Sequence, residues 1–197
     1  MHDGPQQPER EEDRELVRKA VQGDEDAFGA LVRRKRERIF WIAYRIVGNE
    51  EDAREIAQTT FIRLWKAIGK YDPRQSFDTW LYRITVNLAI DHYRSRGPVK
   101  TFEPLEEGER MRLDAQAPGP IASDPLAALT GSELRAIFVL SQIEGMPTEE
   151  IARVMGISHS TVRNHLFQAR RSLQEAIRLL YPEYYRSGKG RGEPPRQ

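Results

Sequence analysis

The chain has 197 residues, 39% of them hydrophobic and 31% charged, with 31 basic side chains against 30 acidic ones and no cysteine. Those values suit one or two small domains with wet helical faces, exclude disulfides, thiolate zinc sites and a thiol redox sensor within this chain, and give a net charge of +1 that by itself says nothing for nucleic acid. No apolar run approaches the roughly 20 residues that span a membrane, and the polar, acidic opening MHDGPQQPEREEDRE does not read as a secretory leader, so a cytoplasmic protein is expected.

In chain order, residues 1–12 are polar, carry Pro5 and Pro8, and are expected to be disordered. Helical periodicity then runs almost unbroken from 13 to 96. A first helix over about 13–22 ends at Gly23. Asp24 can cap a second, which carries Phe28, Leu31, Val32, Ile39, Ile42, Ala43 and Ile46 and stops at Gly48. Asn49 caps a third, whose stripe is Ala53, Ile56, Ala57, Thr60, Phe61, Leu64, Trp65 and Ile68. A loop from Lys70 to Gln75 leads to Ser76 as the next cap, and a fourth helix runs from Phe77 to about Arg96 with Trp80, Leu81, Ile84, Leu88 and Ile90 inward. Residues 97–125 change character. Gly97, Pro98, Pro104, Gly108, Pro118, Gly119, Pro120 and Pro125 break any helix, and acids outnumber bases, so a flexible acidic linker is expected. Helices resume over 126–181, and 182–197 is a Gly/Pro-rich basic tail, also expected to be disordered. No segment shows strand alternation and no repeat is present. The expected fold is all-α: a four-helix domain and a smaller helical domain on a soft joint.

The most telling stretch is TEEIARVMGISHSTVRNHLFQARRSLQEAI, residues 148–177. Thr148 can cap a short helix with the stripe Ile151, Ala152 and Met155. Gly156 stands where a turn needs positive φ, Ile157 fills the corner, and Ser158 caps a second helix. Val162, Leu166, Ala169, Leu173 and Ala176 recur at i+3/i+4 as its buried stripe. The opposite face holds Ser160, Asn164, Phe167 and Arg171, flanked by Arg163 and Gln168. Arg suits guanine, Asn and Gln suit adenine, and an apolar ring suits a thymine methyl. This is the helix-turn-helix layout, whose second helix enters the DNA major groove.

Both blocks together resemble one family. DAREIAQTTFIRLWKAIGKYDPRQSFDTWLYRITVNLAIDHYRSR resembles regions 2.1 to 2.4 of the extracytoplasmic-function sigma factors, bacterial transcription-initiation subunits, and LTGSELRAIFVLSQIEGMPTEEIARVMGISHSTVRNHLFQARRSL resembles their region 4. The order is region 2, short linker, region 4, with no room for region 3. The resemblance implies core RNA polymerase as partner, through its β′ clamp helices and β flap, together with promoter DNA and an anti-sigma factor. It implies no cofactor, no metal and no catalysis. On the third helix, Asp52, Glu55, Ile56, Gln58, Phe61 and Trp65 match the clamp-docking motif. Arg74, Gln75, Ser76, Phe77, Thr79, Trp80, Arg83 and Asn87 match the part that opens the −10 element, where unstacking a base and holding a single strand call for aromatics, amides and cations. Trp80-Leu81 stands where housekeeping sigma factors carry a Trp pair, which implies weaker melting and stricter promoter choice. Ser158, His159, Ser160, Thr161, Arg163, Asn164, Phe167, Gln168 and Arg171 match the −35 reader. Here His165 and Gln168 replace two usual arginines, which implies fewer phosphate contacts.

Two other readings are weighed. A helix-turn-helix regulator that is not a polymerase subunit fits 148–177 equally well, but the first block lacks the strands that sensor domains normally need. A metal-dependent nuclease would need converging carboxylates. Asp24, Glu25 and Asp26 already suit a helix start, Asp91 and His92 are neighbours that diverge on a helix, and His2, His92, His159 and His165 show no ligand spacing. With little apolar surface in the joint, the two blocks are expected to sit at a broad range of distances in the free protein, available to a partner that wedges between them or clamps them.

Overall fold

The computed structural model describes residues 6–96 and 125–180. The expectations for 97–124, for the first five residues and for the tail lie outside them. The described residues form seven α-helices and no strand: α1 Gln6–Val21, α2 Glu25–Val47, α3 Glu50–Ala67, α4 Phe77–Arg96, α5 Ser132–Phe138, α6 Thr148–Met155 and α7 His159–Leu180. A 3-10 turn, Ile68–Lys70, follows α3. A second, Pro125–Ala128, precedes α5, and α5 runs on into a π-helical turn, Val139–Ile143.

The ends of these helices follow from the residues that stop them. Asp24 accepts the Ala27 N–H at 2.9 Å, and Asn49 accepts the Asp52 N–H at 2.9 Å, each cap being worth about 1 kcal/mol. Gly48 closes α2 at φ +76°, with its N–H on the Tyr44 carbonyl, a left-handed geometry that glycine adopts without steric cost. Leu31, Ile39, Ile42 and Ile46 of α2, Ala53, Ile56 and Leu64 of α3, and Leu81 and Val86 of α4 form the first block's share of one buried apolar cluster. Lys35 is buried among them. Its ammonium lies 2.5 Å from Asp13 and 2.8 Å from Asp78, so one charge pins α1, α2 and α4 together, as a buried cation requires.

The N-terminus departs from expectation. Residues 1–12 are expected to be disordered, yet α1 begins at Gln6, and Glu12 and Asp13 both reach Arg34, at 2.9 and 2.8 Å. Within that segment Glu12 has a basic partner, Arg34 of α2.

In the second block Ala136, Ile137, Leu140, Ile151, Val154, Val162 and Leu166 are buried. Gly156 takes φ +66° at the turn, and Ser158 accepts the Thr161 N–H at 3.1 Å, as the sequence suggests. Thr148 does not cap α6. Pro147 occupies that position without a side-chain bond, and the Thr148 hydroxyl lies 2.7 Å from His159 Nε2 instead, tying the start of α6 to the start of α7.

The two blocks are packed together rather than widely spaced. Arg135 of α5 is only 1% exposed; its Nε donates to the Leu129 carbonyl at 2.9 Å and its Nη1 to the Ile46 carbonyl of α2 at 3.2 Å. Around it, Arg38 meets Glu144 at 2.5 Å, Arg94 meets Glu133, and the Thr79 hydroxyl donates to Glu150 at 3.3 Å. These polar bridges stand beside a buried apolar cluster that runs through both blocks, from Leu31, Ile42 and Leu81 to Ile137, Leu140 and Val162; both lie on helical faces, and a count of apolar residues in the joint cannot register them. Among the described residues, no helix is long and apolar enough to cross a membrane.

Candidate nucleic-acid interface

Three exposed surfaces carry the residues singled out in the sequence. The first is the N-terminal half of α7. Val162, Leu166 and Ala169 are buried, and the helical period then turns Ser160, Arg163, Asn164, Phe167, Gln168 and Arg171 outward, where all six are exposed. Phe167 is 71% exposed, so its ring stands free on the same face as the polar side chains. Ser158 Oγ lies 2.8 Å from the hydroxyls of both Ser160 and Thr161. The first turn of α7 holds no acid, so its free N–H groups and positive dipole end favour an anion. His159 is held by Thr148 and lies 3.2 Å from Glu149. His165 turns the other way. It lines a cleft of about 510 Å³ between the blocks, with Asn87, Arg94 and Glu133 among its neighbours.

The second surface is the loop before α4 and the first turns of that helix. Ser76, Thr79, Trp80, Arg83 and Asn87 follow one another at three- and four-residue spacing and so form one ridge. Arg74, Gln75 and Ser76 are exposed, as are Arg83 and Asn87, while Thr79 and Trp80 are half-buried. Ser76 caps α4 loosely, its Oγ 3.4 Å from the Thr79 amide. Phe77 is buried. The sequence places it among the strand-opening residues; the structure puts its ring against Tyr71, 5.8 Å away and edge-on. Tyr71 also lies 5.3 Å from Trp80 at an interplanar angle of 32°, and its hydroxyl donates to the Gln75 carbonyl at 2.6 Å. Burial pushes its phenol above the usual value. Asp72 accepts the Arg74 N–H at 3.0 Å and grips the Arg74 guanidinium at 2.9 to 3.1 Å; those hydrogen bonds hold its carboxyl below the usual range. The resemblance takes in the whole loop from Lys70 to Ser76 but singles out neither Tyr71 nor Asp72. The Asp-Pro step signals a turn, but nothing in the spacing of residue 71 says that it packs under residue 80.

The third surface is the outer face of α3. Glu55 and Gln58 are exposed, Phe61 is half-buried, and Trp65 is 38% exposed with its ring 4.7 Å from that of Phe28. Ile56 lies in the core, and Asp52 is 6% exposed with its carboxylate 3.0 Å from His92 Nε2. Ile62, not singled out in the sequence, is 47% exposed. Glu51, Glu55, Gln58, Ile62 and Trp65 therefore make a continuous outward stripe at helical spacing, acidic at its start and apolar at its end. Counting back from Trp65 by three and seven residues would have found it.

The sigma-70 region 2 family matches residues 31–98, and the sigma-70 region 4 family matches residues 132–173. The ECF RNA polymerase sigma factor SigW of Bacillus subtilis is 30% identical over 179 residues, 83% of this chain and 96% of the relative. The chain belongs to the ECF sigma factors of the sigma-70 family. The ECF RNA polymerase sigma factor SigE of Mycolicibacterium smegmatis is 37% identical over 157 residues, 75% of this chain; the chain spans only 60% of that longer relative. Among solved structures, CnrH in complex with the cytosolic domain of CnrY superposes with a TM-score of 0.63 at 28% identity, covering 84% of this chain and 97% of that one. In this sigma factor the two family matches divide as the helices do: α2 to α4 carry the second and third surfaces, and α5 to α7 carry the first.

Proposed function

We propose that this ECF sigma factor docks on core RNA polymerase through the α3 stripe, reads the −35 element with the outer face of α7, and opens the −10 element with the loop at 71–76 and the α4 ridge. The observation that carries the reading is the separation of tasks: three exposed faces on three different helices, each with the chemistry its task needs. On α7, Arg163 and Arg171 supply cations for guanine or phosphate, Asn164 and Gln168 supply amides for adenine, and Phe167 supplies an apolar ring. On α4 the half-exposed Trp80 offers a stacking surface, while Arg83 and Asn87 offer contacts along a separated strand. On α3 the exposed end, Ile62 and Trp65, is an apolar patch suited to a protein helix rather than to DNA. A regulator that is not a polymerase subunit leaves this patch and the whole first block without a task.

The chain performs no bond chemistry on this reading. It supplies binding energy and strand opening, and the polymerase supplies catalysis in the cytoplasm. An anti-sigma factor is the proposed regulator, in keeping with CnrH, a homologous fold solved with the cytosolic domain of a second protein. Asp52 is assigned a packing role beside His92, and the acidic contribution to docking passes to Glu51 and Glu55.

The division of labour is directly testable. Arg163→Ala or Asn164→Ala is expected to weaken binding to a −35 duplex roughly tenfold to a hundredfold, since a good base contact is worth about 1–3 kcal/mol, and to leave polymerase affinity within twofold. The double change Ile62→Asp, Trp65→Ala is expected to do the reverse. Co-elution with core enzyme and titration of promoter duplexes read the two arms. Equal loss of polymerase affinity in the α7 variants would refute the assigned groove face.

A further inference from the structure

We propose that Tyr71 and Asp72 are positioning residues of the strand-opening loop, holding residues 72–76 in their base-capturing shape before DNA arrives. The inference rests on the reading of that loop as the −10 opener and adds which groups make it work. The loop is closed from both ends. The Tyr71 hydroxyl crosses it to the Gln75 carbonyl at 2.6 Å, and the Gln75 N–H returns to the Asp72 carbonyl at 3.0 Å. Pro73 stands between them with its φ fixed by the ring. Asp72 then fastens the exposed tip, taking both the amide and the guanidinium of Arg74. The Tyr71 ring lies against Trp80 on one side and edge-on to the buried Phe77 on another, so loop and ridge are one aromatic unit anchored in the core.

A base leaving the duplex gives up its stacking and pairing at the moment of capture. A loop that had to order itself then would add a conformational cost for every residue fixed, and that cost would fall on the opening step. Prior closure by Tyr71 and Asp72 moves it into folding, which is what preorganisation means for a binding site. Neither residue needs to touch DNA for this. Asp before Pro is common turn chemistry, with the side chain on the amide two residues on; the Tyr71 bond across the loop to the Gln75 carbonyl is what this loop adds.

The test uses the reconstituted holoenzyme on a promoter that it opens. Closed-complex affinity is measured by filter binding in the cold, and opening by the rate at which −10 thymines become reactive to permanganate. Tyr71→Phe keeps the ring and removes only the hydroxyl. It is expected to slow opening roughly three- to tenfold, the size of one lost hydrogen bond, with closed-complex affinity within twofold of the parent, which also shows that the variant is folded. Asp72→Asn is expected to act in the same direction. On a template premelted across the −10 element, both defects are expected to shrink to within twofold. The inference is overturned if Tyr71→Phe opens duplex promoters at the parental rate, if its defect lies in closed-complex affinity, or if the defect is as large on the premelted template. Parent protein and Trp80→Ala separate this outcome from failure of the underlying reading. If the parent opens no promoter with core enzyme, the assignment of the loop falls. If the parent opens promoters, Trp80→Ala is slow and Tyr71→Phe is not, only the positioning role falls.

Discussion

A donor dye on the outer face of α3 and an acceptor on α7 will report one short distance in the free chain, and a distance longer by several tens of ångströms once core polymerase and promoter are added. The two blocks are held together by the buried Arg135 bridge to Ile46, by Arg38–Glu144, by Arg94–Glu133 and by Thr79–Glu150. A compact body of the size of the described residues is about 40 Å across. The −35 and −10 elements are separated by about 25 base pairs, or roughly 85 Å of duplex at about 3.4 Å per pair, so a closed chain cannot meet both. Thr79, on the −10 ridge, is bonded to α6, and Asn87 lines the cleft against His165, so closure also covers part of the opening surface. Fully extended, the residues between the blocks reach about 95 Å at ~3.4 Å each, enough for the open form. The Arg94–Glu133 pair is accessible to solvent and will weaken with salt. Burial works against the Glu133 carboxylate, but hydrogen bonds from its own backbone N–H, Arg94 and Ser132 hold its pKa below the ordinary glutamate value of 4.5. Its contribution to closure is therefore complete above about pH 4.5 and lost only as the pH falls through the lower folded value. Across neutral pH Glu133 will therefore contribute no change to the closed distance. A broad spread of distances in the free protein would refute the packed arrangement.

Replacing Arg135 with alanine will have the largest effect on stability. Its guanidinium satisfies two carbonyls, one from each block, in a site that is 1% exposed. Each orphaned buried carbonyl costs about 1–3 kcal/mol, and the void adds to that. A loss of about 3–5 kcal/mol is expected, or a fall of roughly 10 °C in melting temperature at this chain length. Arg135→Lys will recover little, because one ammonium cannot span two carbonyls in the fixed geometry of a planar fork. Urea denaturation of the intact chain gives the number; a change below 1 kcal/mol would mean that water replaces the side chain.

Much of this molecule is legible from sequence. The caps at Asp24, Asn49 and Ser158, the glycine stops at 48 and 156, and the outward face of α7 all follow from local chemistry, because each is decided by residues within one or two turns. What was not legible depends on distant partners. The docking of α1 depends on Glu12 and Asp13, whose bases Arg34 and Lys35 lie in α2. Thr148 bonds to His159 rather than capping its own helix. Phe77 and Asp52 turn inward because Tyr71 and His92 are there to receive them. Ile62 is exposed because the buried stripe of α3, Ala53, Ile56, Thr60 and Leu64, faces away from it. The packing of the two blocks includes a buried arginine, Arg135, that periodicity reads as an ordinary polar position on α5.

The account stands most directly on transcription in vitro. Core RNA polymerase, the purified chain and a library of genomic fragments are combined, and the 5′ ends of run-off products are mapped. The account predicts discrete start sites that share −35 and −10 elements at fixed spacing, absent when the chain is omitted and lost with Asn164→Ala or Trp80→Ala. Transcripts that do not depend on the chain, or dependent transcripts that share no −10 element, would contradict it.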